Sequence, residues 1–320
     1  MKSPRVVVTG AGGFVGEAVV FRLLLDRKFL PVAAARGPTR LSGLCPVVTL
    51  DLAAPGVMPV LNDVQVVVHA AARVHVMSET AADALAMYRK INVDGTLSLA
   101  RRAATSGVAR FIFISSIKVN GESTVIGNSF QADNPAAPVD PYGVSKYEAE
   151  EGLRQLSRES GMEVVIIRPP LVYGPGVKAN FLSMMRWLDK GIPLPLGAIS
   201  NQRSLVAIGN LVDLIVTCLE HPAAANQTFL VSDGEDLSTT QLLRRLALAL
   251  GKKSRLVPVP QWLLTLGASL VGKQAAAKRI CGSLQVNIDK NRDVLGWIPP
   301  ISVDRAMRQT ADYYLDKQTK

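Results

Sequence analysis

The sequence predicts an α/β fold: a Rossmann-type doubly wound parallel sheet with a smaller mixed α/β substrate-binding part. Three observations predict it. Short apolar runs rich in Val and Ile alternate with helical stretches through the first half of the chain. Such runs read as strands buried on both faces, as in a parallel sheet covered by helices. A glycine-rich turn joins the first strand to the first helix. Finally, 320 residues that are 48% hydrophobic, with a mean hydropathy of +0.21, supply enough material for a sizeable core and exclude a disordered or low-complexity chain.

Taken in order, residues 5–9 form the first strand. Residues 13–25 form the first helix, with Phe14, Val15, Val19 and Leu23 on its inner face. Strands follow at 31–35, 47–50, 64–69, 111–115 and 164–168, with helices at 81–106 and 142–160. After Arg168 the pairs Pro169-Pro170 and the run Tyr173-Gly174-Pro175-Gly176 mark a break. Short strands at 204–207 and 227–231 alternate with helices there. Ser238 followed by Gln241 is a capping box opening a helix over 242–250. Residues 1–168 are thus expected to bind a nucleotide. Residues 169–320, interleaved with them, are expected to bind substrate, with the site in the cleft between. The apolar stretch 262–271 is far shorter than the roughly 20 residues of a spanning helix. A buried helix is expected there, and a helix lying on a membrane surface is the alternative.

The net charge of +10 is uneven. Residues 1–160 carry 17 basic and 14 acidic groups, residues 161–320 carry 19 and 12. Between Leu237 and Ile288 there are eight Lys or Arg and no Asp or Glu. Such an excess fits nucleic acid, a membrane surface or anionic small molecules. Nucleic-acid binding would pair the charge with stacking aromatics, but aromatics are 5% and the basic segment holds one, Trp262. Cys45, Cys218 and Cys281 form no CxxC pair, which fits a reducing cytoplasm better than a disulfide framework. Three histidines, His69, His75 and His221, without HExxH spacing suggest no metal site, and without a GxSxG elbow a serine hydrolase is disfavoured.

Two motifs carry chemistry. Gly10, Gly13 and Gly16 follow the first strand and open the first helix. Gly10 permits the tight turn, Gly13 the approach of a pyrophosphate, and Gly16 close packing of helix on sheet. The second strand ends at Arg36 rather than at an acid. An acid there binds the ribose 2′-OH of NAD, whereas an arginine can meet the 2′-phosphate of NADP, with Arg40 assisting. NADP(H) is therefore favoured over NAD(H), the competing reading being a solvated loop arginine. The second motif is Tyr142-Gly143-Val144-Ser145-Lys146. Positions i and i+4 share a helix face, and an ammonium beside a phenol lowers its pKa, so Tyr142 is expected to exchange a proton near neutral pH. Ser115 and Ser116 end a central strand, where ligands of parallel sheets gather, and Ser116 can polarise a reacting oxygen.

These pieces resemble the extended short-chain dehydrogenase/reductase family, in its sugar-nucleotide epimerase/dehydratase branch. The matching stretches are Thr9 to Gly16, Asp51-Leu52, His69-Ala70-Ala71, Asn92 to Thr96, Ser115-Ser116, Tyr142 to Lys146, Arg168-Pro169 with Tyr173 to Gly176, and Leu295-Gly296-Trp297. The resemblance implies that Ser116, Tyr142 and Lys146 form a catalytic triad, with Tyr142 and Lys146 also against the cofactor, where Lys146 would hold the nicotinamide ribose. It implies that Asp51 and Leu52 flank the adenine, that Ala70, Ala71 and Ala72 line the cofactor with Phe14, Val15, Pro169 and Val172, and that Asn92 braces the active-site helix. Asn180 and Arg203 would hold the substrate diphosphate, with Arg73 as a further substrate contact or a solvated charge. A homodimer is also a family expectation.

Two departures shape the expected activity. Dehydratases of the family carry an Asp-Glu pair directly after the triad Ser or Thr, where this chain has Ile117-Lys118, so dehydration is disfavoured. The 4-epimerases usually keep an acid at the position of Arg36. The stretch 71–77 and the segment 283–286 resemble the subgroup reducing UDP-4-keto-6-deoxy-N-acetylglucosamine to UDP-N-acetylquinovosamine for O-antigen lipopolysaccharide. The expected reaction is therefore an NAD(P)H-dependent reduction of the 4-keto group of a UDP-sugar. The alternatives are a UDP-sugar 4-epimerase with tightly bound NAD and a non-catalytic NADP-binding regulator.

Overall fold

Alternate residues of the first strand face opposite layers, and the rest of the fold follows from that pattern. In this computed structural model, which describes residues 3–54, 59–74, 81–270, 272 and 274–318 (side chains of 81–83, 275 and 276 excepted), the elements run in this order. They are β1 (Arg5–Thr9), α1 (Phe14–Asp26), β2 (Leu30–Ala35), β3 (Val47–Thr49), β4 (Val64–His69), α2 (Ala81–Tyr88), α3 (Thr96–Thr105), β5 (Arg110–Ile114), α4 (Pro141–Ser160), β6 (Glu163–Arg168) and β7 (Leu171–Tyr173). The chain continues with α5 (Ala179–Asp189), β8 (Arg203–Ala207), α6 (Ile208–Glu220), β9 (Thr228–Leu230), β10 (Asp236–Leu237), α7 (Thr239–Ala249), α8 (Gln261–Leu270), α9 (Gln274–Cys281), α10 (Asp289–Leu295) and α11 (Val303–Gln318).

Seven strands form one sheet in the order β3-β2-β1-β4-β5-β6-β9, and every pairing is parallel. Val6 and Val8 of β1 join Val66, Val68, Ile112 and Ile167 under α1 and α6. Val7 joins Val67, Phe111, Phe113 and Ile166 under α3 and α4. The strand order reverses between β1 and β4, so the ends of those strands open a crevice at the glycine turn. Two elements after Arg168 return to this sheet: α6 covers one face and β9 extends the edge beyond β6.

A second sheet, β10-β8-β7, packs with α5, α7 and α11 around Tyr173, Phe181, Met185, Leu205, Leu243, Leu246 and Met307. Helix α7 opens with the expected capping box: the Ser238 hydroxyl accepts from Gln241 N at 3.0 Å, and Gln241 accepts from Ser238 N at 2.8 Å. Strands β7 and β10, three and two residues long, carry too little pattern to be seen in sequence.

Two expectations are corrected. The single helix over 81–106 is three pieces, with a π-helical stretch at Arg89–Gly95 between α2 and α3. The segment 262–271 is not a buried helix: α8 spans Gln261–Leu270 without one buried residue, and Val271 lies outside the described residues.

Candidate active site

The glycine turn forms as its spacing requires. Gly10 has φ +66°, and a Cβ there would sit 2.7 Å from Ala71 N. A side chain is excluded at Gly16 as well, where a Cβ would lie 2.4 Å from the Gly10 carbonyl oxygen. The Gly13 amide closes the turn on that oxygen at 2.8 Å, and Gly13 sits at the N-cap of α1 with no side chain to satisfy the first-turn amides. These amides and the helix dipole are suited to an anion. Phe14 and Val15 form the first turn, half-buried.

A cavity of about 540 Å³ lies over this turn. Gly10, Gly13, Arg36, Asp51, Leu52, Ala70, Ala71, Ala72 and Arg73 all line it. A dinucleotide fits that set: small residues where backbone must approach, open space above Gly12, and charged groups on the walls. Arg40 does not join the wall. Its Nε donates to Glu17 at 2.9 Å, away from the role expected beside Arg36.

Thr9 and His69, both fully buried, tie together the strands that lead into Gly10 and Ala70. The Thr9 hydroxyl accepts from Ala71 N at 3.2 Å and bonds His69 Nδ1 at 2.7 Å, while His69 Nε2 bonds the Thr96 hydroxyl at 2.9 Å. Burial, reinforced by the charge of Lys146, pushes the His69 imidazole down to about 3. His69 is thus a neutral tie between β1, β4 and α3. His75 and the rest of 75–77 lie outside the described residues.

Helix α4 carries the Tyr-Lys pair. Asp140 caps it by accepting from Gly143 N at 2.6 Å, and Pro141 occupies the first turn, where its missing N–H costs nothing. Lys146 is buried. Its Nζ donates to the Ile114 carbonyl at 2.8 Å and lies 4.4 Å from the Phe113 ring centre. Burial drives this amine down to about 7, opposed by Glu150 one turn along. Tyr142 is half-buried, edge-on to Tyr88 with ring centres 5.9 Å apart. Its phenol is pushed up by burial, then by Asp140 and Tyr88. The expected lowering by Lys146 is therefore not seen: the lysine donates to the end of β5, and the charge acting on the phenol is the capping carboxylate.

Ser116 begins the short turn after β5, half-buried, accepting from Lys118 N at 3.3 Å. Lys118 links it to the Tyr142 helix: its side chain pairs with Asp140, and its carbonyl lies against Gly143. Ile117 is buried in an apolar cluster. The two positions where dehydratases place acids are thus a core residue and a committed lysine.

Asn92, on the π-helical stretch, accepts from Arg73 N at 2.8 Å and donates to Arg73 O at 3.1 Å and Ser145 Oγ at 3.0 Å. It joins the cavity wall to α4. Pro169 is buried and accepts from Ile117 N at 3.0 Å; Val172 is half-buried in β7. The expected diphosphate pair is placed less tellingly. Asn180 is exposed in the first turn of α5, and Arg203 Nη1 donates to the carbonyls of Arg279 at 2.8 Å and Gly282 at 2.9 Å. Sequence reading missed the network under the triad. The Ser115 hydroxyl donates to buried Glu150 at 2.5 Å, Arg168 Nε donates to the same carboxylate at 2.9 Å, and Arg168 Nη1 reaches Asn120 at 3.0 Å. The i,i+4 spacing of Lys146 and Glu150 was the only signal for it. Among the described residues no cluster suited to a metal ion occurs.

Residues 6–232 match the NAD dependent epimerase/dehydratase family. A UDP-glucose 4-epimerase of Vibrio cholerae is 49% identical over 323 residues, covering 100% of this chain and 98% of that protein. An N-acetyl-alpha-D-glucosaminyl-diphospho-ditrans,octacis-undecaprenol 4-epimerase of Escherichia coli O157:H7 is 27% identical, covering 71% of this chain and 72% of the relative. Among solved structures, UDP-glucose 4-epimerase of Thermotoga maritima with UDP-glucose superposes with a TM-score of 0.77 at 22% identity, covering 98% and 99% of the two chains.

Proposed function

Because this chain belongs to the NAD dependent epimerase/dehydratase family, we propose that it is a 4-epimerase of a UDP-sugar. The observation that carries this reading is the 49% identity, over the whole chain, to a protein described as a UDP-glucose 4-epimerase. It favours the epimerase over the 4-keto-sugar reductase, which rested on Arg36 standing where 4-epimerases usually keep an acid and on the likeness of two short stretches, 71–77 and 283–286. Both curated relatives act, by their names, at C4 of a sugar on a diphosphate, one nucleoside-linked and one polyprenyl-linked.

The cofactor in this reading is NAD, held along Gly10, Gly13, Asp51, Leu52 and Ala70–Ala72. It supplies a reversible hydride store at the sugar C4. A hydride returned to the same sugar needs no fresh cofactor each turnover, so NAD replaces the NADP that Arg36 alone favoured. Tyr142 exchanges a proton with the sugar C4 oxygen: as phenolate it takes the 4-hydroxyl proton, and as phenol it gives that proton back to the 4-keto oxygen once the ring has turned its other face. Ser116 donates a hydrogen bond to that oxygen, where negative charge develops. Lys146 holds α4 against the end of β5 and keeps a proton near the reacting pair. Asn92 positions α4, and Arg73, Asn180 and Arg203 are assigned to the substrate side. Ile117 and Lys118 leave elimination of water without its acid and base.

The test is incubation of the purified protein with UDP-glucose and no added cofactor. UDP-galactose is expected to appear, and Tyr142→Phe to lower the rate about 10²–10⁴-fold. Inertness toward UDP-glucose, together with consumption of reduced nicotinamide cofactor on a UDP-4-keto sugar, would restore the reductase. Mass analysis of nucleotide released from the denatured protein is expected to find NAD; NADP would return Arg36 to a 2′-phosphate role.

A further inference from the structure

We propose that α8 docks this protein on a bilayer surface rich in anionic lipid. A surface helix of a globular protein turns its apolar stripe toward the core. Helix α8 does the reverse. At 100° per residue, Trp262, Leu266, Leu270 and Leu263 fall within an arc of about 100°. They are 65%, 53%, 81% and 42% exposed. The half-buried Leu264 and Ala268 lie on the other side. The helix packs with α9, whose Lys278, Arg279 and Ile280 are exposed. Contiguous exposed apolar surface of this kind marks an interaction site.

The charge of the segment that carries the helix, nearest to it Lys278 and Arg279 on the adjoining α9, selects the occupant. The segment between Leu237 and Ile288 has no acidic residue. Arg245 pairs with Glu235 and Asp304, and Lys252 with Asp189. Arg244, Lys253, Arg255, Lys278 and Arg279 are exposed and have no acidic partner among the described residues. Lys273 lies outside the described residues. A second copy of this chain, docked by a two-fold axis, would bring this basic segment against itself. An anionic bilayer meets both features at once. Apolar side chains enter the headgroup boundary while basic residues meet lipid phosphates. Trp262, with an apolar ring and one N–H, suits that boundary. At ten residues α8 is about 15 Å long, and no described helix is long and apolar enough to cross a membrane, so α8 lies in the plane of the surface. This proposal needs no particular reaction and stands apart from the epimerase reading.

The full chain is to be sedimented with vesicles of phosphatidylcholine alone and of equal parts phosphatidylcholine and phosphatidylglycerol, at low and high salt. Sedimentation is expected with the anionic vesicles only, weakening as salt rises. Lys278→Gln should lower partitioning about five-fold. Leu266→Asp with Leu270→Asp should abolish it, with melting temperature and elution volume unchanged. A shift in tryptophan emission on binding should vanish in Trp262→Phe. Failure to sediment with anionic vesicles, or equal binding to phosphatidylcholine alone, overturns the proposal. So does a lipid-free oligomer that dissociates on Leu266→Asp, which would make a second copy the occupant.

Discussion

Two buried bases set the pH behaviour of individual residues. An unfolded lysine keeps its proton to about 10.4, but folded Lys146 releases it at about 7. Between these values the unfolded chain binds more protons, so this residue makes stability rise with pH. Its burial cost is full below about 7 and gone above about 10.4. Urea unfolding across that window should show wild type gaining on Lys146→Met as pH rises. His69 follows the same sign lower down: folded at about 3, unfolded near 6.5, it lowers stability as pH falls through that interval. Nuclear magnetic resonance should find its ring still neutral at about pH 4. The positions of Gly10, Tyr142 and Lys146 at a βα turn and on one helix were legible because short spacings encode them. The Thr9–His69–Thr96 tie was not, because its partners are 60 and 27 positions apart, nor was the pairing of Lys118 with Asp140 across 22. Composition gives no sign of which distant polar residues a sheet brings together.

At the scale of elements, the start of α4 joins structure to chemistry. Asp140 both caps the helix and holds Lys118, whose amide reaches Ser116. Asp140→Ala should cost about 1 kcal/mol in chemical denaturation for the lost cap alone. It should also lower turnover more than nucleotide binding, because the cap sits two residues from Tyr142 and far in sequence from the glycine turn. The strands of the large sheet were read from sequence to within a residue at each end, since continuous apolar runs have few alternatives. The π-helical stretch was not, although it is what presents Asn92 to both Arg73 and Ser145. An apolar segment such as 262–271 reads the same whether it faces a core or faces outward; only the packing of its neighbours decides.

At the scale of the whole molecule, the two halves of the chain share one sheet. Leu211, Leu214 and Ile215 of α6 and Phe229 of β9 lie in the same core as Val6, Val8 and Ile167. A fragment of residues 1–168 keeps α1 but lacks α6, and with it part of the cover of one sheet face, and also lacks the neighbour of β6. It should be insoluble or fail to show a cooperative melt, whereas a fragment reaching past Leu230 should recover solubility. The charge is likewise divided: Arg36 and Arg73 line the cavity over the glycine turn, whereas none of the described basic residues between Leu237 and Ile288 does. The late return of β9 also bears on how the protein is made. Synthesis runs from the N-terminus, so β6 emerges some 60 residues before the strand that pairs with its free edge. Throughout that interval the nascent chain displays an open hydrogen-bonding edge beside an apolar face that α1 covers only in part, the combination that recruits other chains. Rapid, crowded translation is thus the condition under which this protein depends most on chaperones.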